Sequence, residues 1–141
     1  MISGGLLSLR SYDLKGILAY GTISQLGMLT TFIGLGGIES ITGSTLHLYN
    51  HAAAKAGMFM VIGIIDHECG TRDVRKLSNL KATMPICHIL LLVCALSLMG
   101  TPPTGGFITK EMLYTVSLKF GTDNFSSLGL PVLILVGGII T

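Results

Sequence analysis

Charge is what this sequence has least of. Only 11% of its 141 residues are Asp, Glu, Lys or Arg, whereas a soluble domain carries about a quarter, so there is too little charge to wet the surface of a globule. The net charge is +2 and there is no run of Lys and Arg that could track a phosphate backbone, so no nucleic-acid partner is expected. C-x-x-C pairs are also missing. Cys69, Cys87 and Cys94 are odd in number and give no disulfide framework; the last two lie inside an apolar run, where a thiol acts as a small hydrophobe. Met1 to Leu9 lacks a basic n-region, and Arg10 follows the apolar stretch instead of preceding it, which is not the pattern of a signal peptide. No internal repeat or low-complexity segment is present. What the chain does have is apolar residues: they make up 50% of it, in long blocks, with a mean hydropathy of +0.72. A soluble enzyme and a disordered tail are thereby excluded, and the chain belongs in a bilayer.

Residues 17–37 hold no charge over 21 positions, which as a helix reaches about 30 Å, the thickness of a hydrocarbon core. A short turn is expected over Ile38 to Gly43, then a second span over residues 44–65, and then a polar loop from Asp66 to Lys81 that is too balanced in sign to suggest specific anionic-lipid binding. Apolar sequence resumes over residues 82–120, interrupted at 101–107, and a last apolar run covers residues 128–141. That run is too short to cross a bilayer as a helix, so the chain reads as a piece of something larger, with Met1 to Leu9 as the tail of an earlier helix. Arg10, Lys15, Arg72, Arg75, Lys76 and Lys81 fall on one side of the two crossings and only Lys119 on the other. Bases collect on the cytoplasmic side, so the loops at 10–16 and 66–81 are expected to face the cytoplasm of a multi-pass cell-membrane protein.

The second span carries His47, Asn50, His51 and Lys55. His47, His51 and Lys55 are four apart, so they form one stripe down a helix, rising about 6 Å per step. Ala53, Ala56 and Gly57 on the far side are small enough to let another helix approach. An ionisable side chain at bilayer depth costs about 2.5–3.5 kcal/mol on insertion scales, which favours a proton or ion path as the reason for the stripe. The blander alternative has Lys55 snorkelling and the histidines bonding between helices. It is disfavoured because Lys55 lies about 15 Å from the expected helix end. Two histidines at this spacing could ligate zinc, but no carboxylate or thiol in the span completes a site, so no metal is expected.

The interruption reads Thr101-Pro102-Pro103-Thr104-Gly105-Gly106-Phe107. Two prolines remove donors and two glycines permit non-helical dihedrals, and non-helical backbone at membrane depth persists only where protein or water satisfies it. Broken helices of this kind build transporter ion sites. Lys110 and Glu111 follow within about a turn, where the positive end of the second half-helix should bear on Lys110 and the lysine can load and release a proton. Two complete spans do not fit into residues 82–120, which favours one broken helix over two helices and a loop. Ser24, Gln25, Thr30 and Thr31 read as hydrogen-bond partners between helices, and His67, Glu68 and Cys69 as a solvated turn. His88 reads either as a core histidine or as an extension of the path.

Four segments then carry a resemblance: Asp13 to Gly27, His47 to Gly63, Asp66 to Leu80 and Met99 to Leu113. In this order they resemble the antiporter-like subunit family shared by Mrp-type multisubunit Na⁺/H⁺ antiporters and respiratory complex I. The Asp-His-Glu-x-Gly-Thr-Arg-Asp wording is most similar to the A-subunit branch, with the distal complex I subunit second. The resemblance implies an all-α integral membrane bundle of two inverted repeats, of which this chain supplies most of the second. It implies that Lys55 takes the place of the central lysine, His47 and His51 that of the linking histidines, Lys110 that of the terminal lysine on the broken helix, and Lys15 that of a lysine opening its helix. Gly21 departs from the Ser common at that position. The glutamate–lysine pair of the first repeat is absent, so these residues alone are not expected to complete a transport cycle.

The expected function is therefore a proton-conducting part of a cation/proton antiporter. It has no catalytic site and no cofactor, and it works with other antiporter subunits, the lipid bilayer, H⁺ and Na⁺. A proton-pumping subunit of NADH:quinone oxidoreductase is the alternative, and a purely structural membrane subunit is the rival of a different class.

Overall fold

Asp13 opens the first long helix: its Oδ2 accepts the Gly16 amide at 3.0 Å, giving a partner to one of the amides that a helix start leaves bare. In the computed structural model, which describes residues 1–77, 80–123 and the single positions 129 and 132, this helix is α2, Leu14–Leu35, and a short α1, Ile2–Arg10, lies against it. Gly4 sits so close to α2 that a Cβ there would come within 2.9 Å of the Tyr20 carbonyl.

The chain reverses on Gly36 and Gly37, whose φ values of 73° and 85° favour glycine, and α3 runs from Ile38 to Cys69. The turn expected over Ile38–Gly43 is thus helix. Glu39 lies in its first turn, where a carboxylate complements the positive helix end. Ser40 is buried and donates to the Phe32 carbonyl of α2, so these polar residues belong to the helix pair. At the other end α3 continues past Ile65 to Gly70, left-handed at φ 62°, whose amide bonds the Asp66 carbonyl at 3.0 Å.

After a 3₁₀ turn at Val74–Lys76 come α4 (Leu80–Thr83), α5 (Pro85–Met99) and α6 (Gly105–Asp123). α5 and α6 each pack chiefly on α3, one after the other along it, and touch each other less. The interruption is Gly100–Thr104, shorter than the expected 101–107, because Gly105, Gly106 and Phe107 already form the first turn of α6. Gly100, at φ 80°, ends α5, and its amide reaches back to the Leu96 carbonyl at 3.1 Å. Among the described residues α2 and α3 are each long and apolar enough to cross a membrane, and α5 is a shorter apolar helix. The span expected at 128–141 lies outside the described residues apart from positions 129 and 132.

Charged groups mark the two ends of the bundle. Asp66 takes Lys15 at 3.1 Å and Arg72 at 3.3 Å, tying the start of α2 to the end of α3. Next to them the Leu14 amide bonds the Arg72 carbonyl at 3.1 Å, and the Val74 amide bonds the Tyr12 carbonyl at 3.0 Å. Arg75 stacks over Tyr12 at 4.2 Å and also binds Asp73, whose carboxyl is pushed down to about 2 chiefly by the hydrogen bond from that guanidinium. At the opposite end Lys119 meets Glu39 at 2.9 Å. Between the ends, Met28 and Phe32 of α2 pack with Leu113 of α6 to form a buried apolar core.

Candidate functional site

The four-residue spacing on α3 does put His47 and His51 on one buried face, their rings stacked 6.1 Å apart. His47 is held from both sides. Its Nε2 lies 3.0 Å from Gln25 Oε1 of α2, and its Nδ1 lies 3.1 Å from Thr109 Oγ1 of α6. Gln25 and Thr109 are themselves buried, so three helices meet at one imidazole. His51, a turn further along, is equally buried, and neither of its ring nitrogens has a partner among the described residues.

Lys55 continues the stripe and leans towards α2, where its ammonium donates to the Leu18 carbonyl at 3.1 Å. Thr22 Oγ1 also donates to this carbonyl, at 2.8 Å. Gly21 makes room for the lysine: a Cβ there would lie 3.0 Å from Nζ. This is the position where the sequence departs from the family wording, so the missing side chain has a direct consequence for where the ammonium sits.

Lys110 is buried on α6 and folds back over the break. Its aliphatic chain passes Gly100, where a Cβ would meet Lys110 Cδ at 3.0 Å, and its ammonium donates to the Met99 carbonyl at 3.3 Å. The lysine therefore faces the negative, carbonyl end of α5. The sequence reading placed it under the positive end of α6; the flexible four-carbon stem lets it reach the other half-helix instead. Asn50 braces the same region, its amide lying so close to the start of α6 that a Cβ on Gly105 would come within 2.9 Å of Oδ1.

His47, His51 and Lys110 thus share a buried region with Lys55 at its edge. Glu111 is not brought there. It is exposed on α6, in a groove it shares with Glu39 and Thr115, because the next residue on a helix points about 100° away. Lys15 is engaged with Asp66 at the end of the bundle. His88 lines an apolar groove with Leu18, Met58 and Ile62 and is separate from the histidine stripe. Of the hydroxyls and amide expected to bridge helices, Ser24 bonds the Met1 carbonyl at 2.7 Å and Gln25 bonds His47, whereas Thr30 and Thr31 turn back to the Gly27 carbonyl of their own helix. Of the small residues expected to admit another helix, Gly57 meets α5, with Cys94 Sγ 3.1 Å from where its Cβ would be, while Ala53 and Ala56 are exposed. Sequence reasoning missed Thr109. Its only signal is a hydroxyl one residue before Lys110, and nothing in the spacing says that it meets His47.

Comparison with known proteins bears on what this arrangement serves. The family model described as NADH:quinone oxidoreductase/Mrp antiporter, transmembrane, matches residues 1–135. Antiporter subunit mnhA2 of Staphylococcus saprophyticus is 45% identical over 99% of this chain and 19% of its own length. The mnhA2 subunit of Staphylococcus epidermidis is 48% identical over 79% of this chain and 16% of its own length, and that of Staphylococcus aureus is 40% identical over 99% and 19%. The chain therefore spans about a fifth of the length of these curated relatives.

Proposed function

The chain belongs to the NADH:quinone oxidoreductase/Mrp antiporter transmembrane family, and we propose that within it these residues form part of the proton path of a multisubunit cation/proton antiporter. Protons move through Lys55, His51, His47 and Lys110 in exchange for Na⁺, with other antiporter subunits completing the assembly in the cell membrane. The antiporter reading is favoured over the oxidoreductase one because the relatives reported above carry the name antiporter subunit. The observation that carries the proposal is the buried contact of three helices at His47, with His51 beside it and lysines on either side along α3 and α6. Groups that can take and give protons are costly at membrane depth, and here they line up through the middle of the bundle instead of dispersing to its surface. Six bases at one end against Lys119 at the other support a cytoplasmic position for the 10–16 and 66–81 loops.

Substitution of Lys55 by Ala in the full-length subunit tests the path. Cation-dependent proton exchange in vesicles should be abolished while the assembled complex stays at normal abundance. Normal exchange by Lys55→Ala would return the lysine to a packing role, and loss of assembly without a specific flux defect would support the structural-subunit rival.

A further inference from the structure

The Thr109 hydroxyl has one hydrogen and, among the described residues, two neighbours able to accept it: His47 Nδ1 at 3.1 Å and the Gly106 carbonyl at 3.2 Å. The other ring nitrogen, Nε2, faces Gln25 Oε1 at 3.0 Å. An amide oxygen only accepts, so Nε2 carries a hydrogen. In a neutral ring Nδ1 is then a lone pair, and Thr109 must donate to it. When the ring takes a second proton, Nδ1 becomes a donor, Thr109 must accept, and its hydrogen turns to the Gly106 carbonyl. Both ring states are therefore fully bonded at a site where all three side chains are buried. His51 has no such arrangement, since its nitrogens are without partners among the described residues.

We propose that Thr109 is a positioning residue that donates to Nδ1 in the Nε2–H tautomer that Gln25 imposes on neutral His47, and that it carries the ring's protonation into the first turn of α6 as a change in the hydrogen bond to Gly106. That turn comes directly before Lys110 and packs against Asn50 and the Ser97 carbonyl, so the proton state of His47 is felt at the break in the helix. The link to transport rests on the conduction reading above; the tautomer does not.

The experiment uses the full-length subunit in its assembled complex, labelled with ¹⁵N-histidine, with the His47 signals identified by their loss in His47→Gln. Wild type and Thr109→Ser should show a protonated Nε2 and a hydrogen-bonded, unprotonated Nδ1 near neutral pH. Thr109→Val, which keeps the shape and removes the hydroxyl, should keep the protonated Nε2 held by Gln25 and shift the Nδ1 signal to that of a nitrogen with no hydrogen bond. Exchange in vesicles should fall about tenfold with Val, as expected for a lost buried hydrogen bond to a group that becomes charged, and recover with Ser. An Nδ1–H tautomer in wild type overturns the proposal, and so does a Val variant with unchanged ring signals. If Val does not assemble, the wild-type and Ser tautomers still decide it. Retained exchange by Lys55→Ala would remove the conduction reading and leave the tautomer result standing on its own.

Discussion

A buried lysine works either as a fixed counter-charge or as a group that lets its proton go, and the surroundings of Lys110 frame that choice. Among the described residues its ammonium has one protein acceptor, the Met99 carbonyl at 3.3 Å, and the carboxylate next in sequence, Glu111, is turned away to an exposed groove. With no carboxylate among its bonding partners in the described residues, the cation has little there to pin it. Lys110→Arg separates the two roles, because guanidinium keeps its charge at any usable pH. Exchange by the Arg variant should be lost almost as fully as with Ala, measured per assembled complex under a pH gradient. Near-normal exchange with Arg would leave Lys110 as a fixed electrostatic part. The ionisable residues were legible in the sequence because a charge in an apolar run is conspicuous and the four-residue period assigns His47, His51 and Lys55 to one face. Their partners were not. Thr109, and the Leu18 and Met99 carbonyls, become partners only through tertiary packing, and side-chain chemistry alone put Glu111 beside Lys110 where helical geometry separates them.

At the level of helices, prolines and glycines signalled the break, but the boundaries moved. The stretch Ile38 to Gly43, with Glu39, Ser40 and Thr42, looked like a turn. The structure uses Gly36-Gly37 for the reversal and buries Ser40 and Ser44 between helices. Likewise Gly105-Gly106 looked like part of the break and instead opens α6, where the absence of side chains allows the close approach. A Cβ on Gly106 would run into the Ser97 carbonyl of α5 and come within 3.3 Å of Asn50 Nδ2. Backbone cannot yield as a flexible side chain can, so Gly106→Ala should force the two half-helices apart. Its cost should be about 1–3 kcal/mol, the range for overpacking, read as a lower thermal midpoint of the assembled complex together with reduced exchange. Gly34→Ala is the matched control, since nothing lies within 4 Å of where its Cβ would be and alanine suits a helix interior better than glycine. Equal midpoints for the two variants would show that the α5–α6 contact tolerates separation.

For the molecule as a whole, the sequence pattern and the structure concern different things: the base count concerns which side, the ion pairs concern which residues share an end. Lys15, Asp66 and Arg72 converge at one end and Glu39 meets Lys119 at the other, so α2 and α3 form an antiparallel pair with the basic segments together. In the orientation proposed above, the positive-inside tendency would put the Lys15 end on the cytoplasmic side. A labelling experiment needs positions that are both exposed and at opposite ends. Ser40, though close to the far turn, is buried against Phe32 and would react poorly whatever its side. Ile38 is 86% exposed and Val74 43% exposed, one at each end. Single cysteines at these positions, in the full-length subunit lacking its native thiols, should therefore label from opposite sides of sealed, right-side-out vesicles. Ile38→Cys should react with a membrane-impermeant maleimide at once, and Val74→Cys only after the membrane is opened. Reversal of the pair would keep the antiparallel crossing and overturn the side assigned from charge. Labelling of both from one side would mean that α2 and α3 do not each cross the bilayer, and the path proposed through His47 would lose the membrane depth on which its cost argument depends.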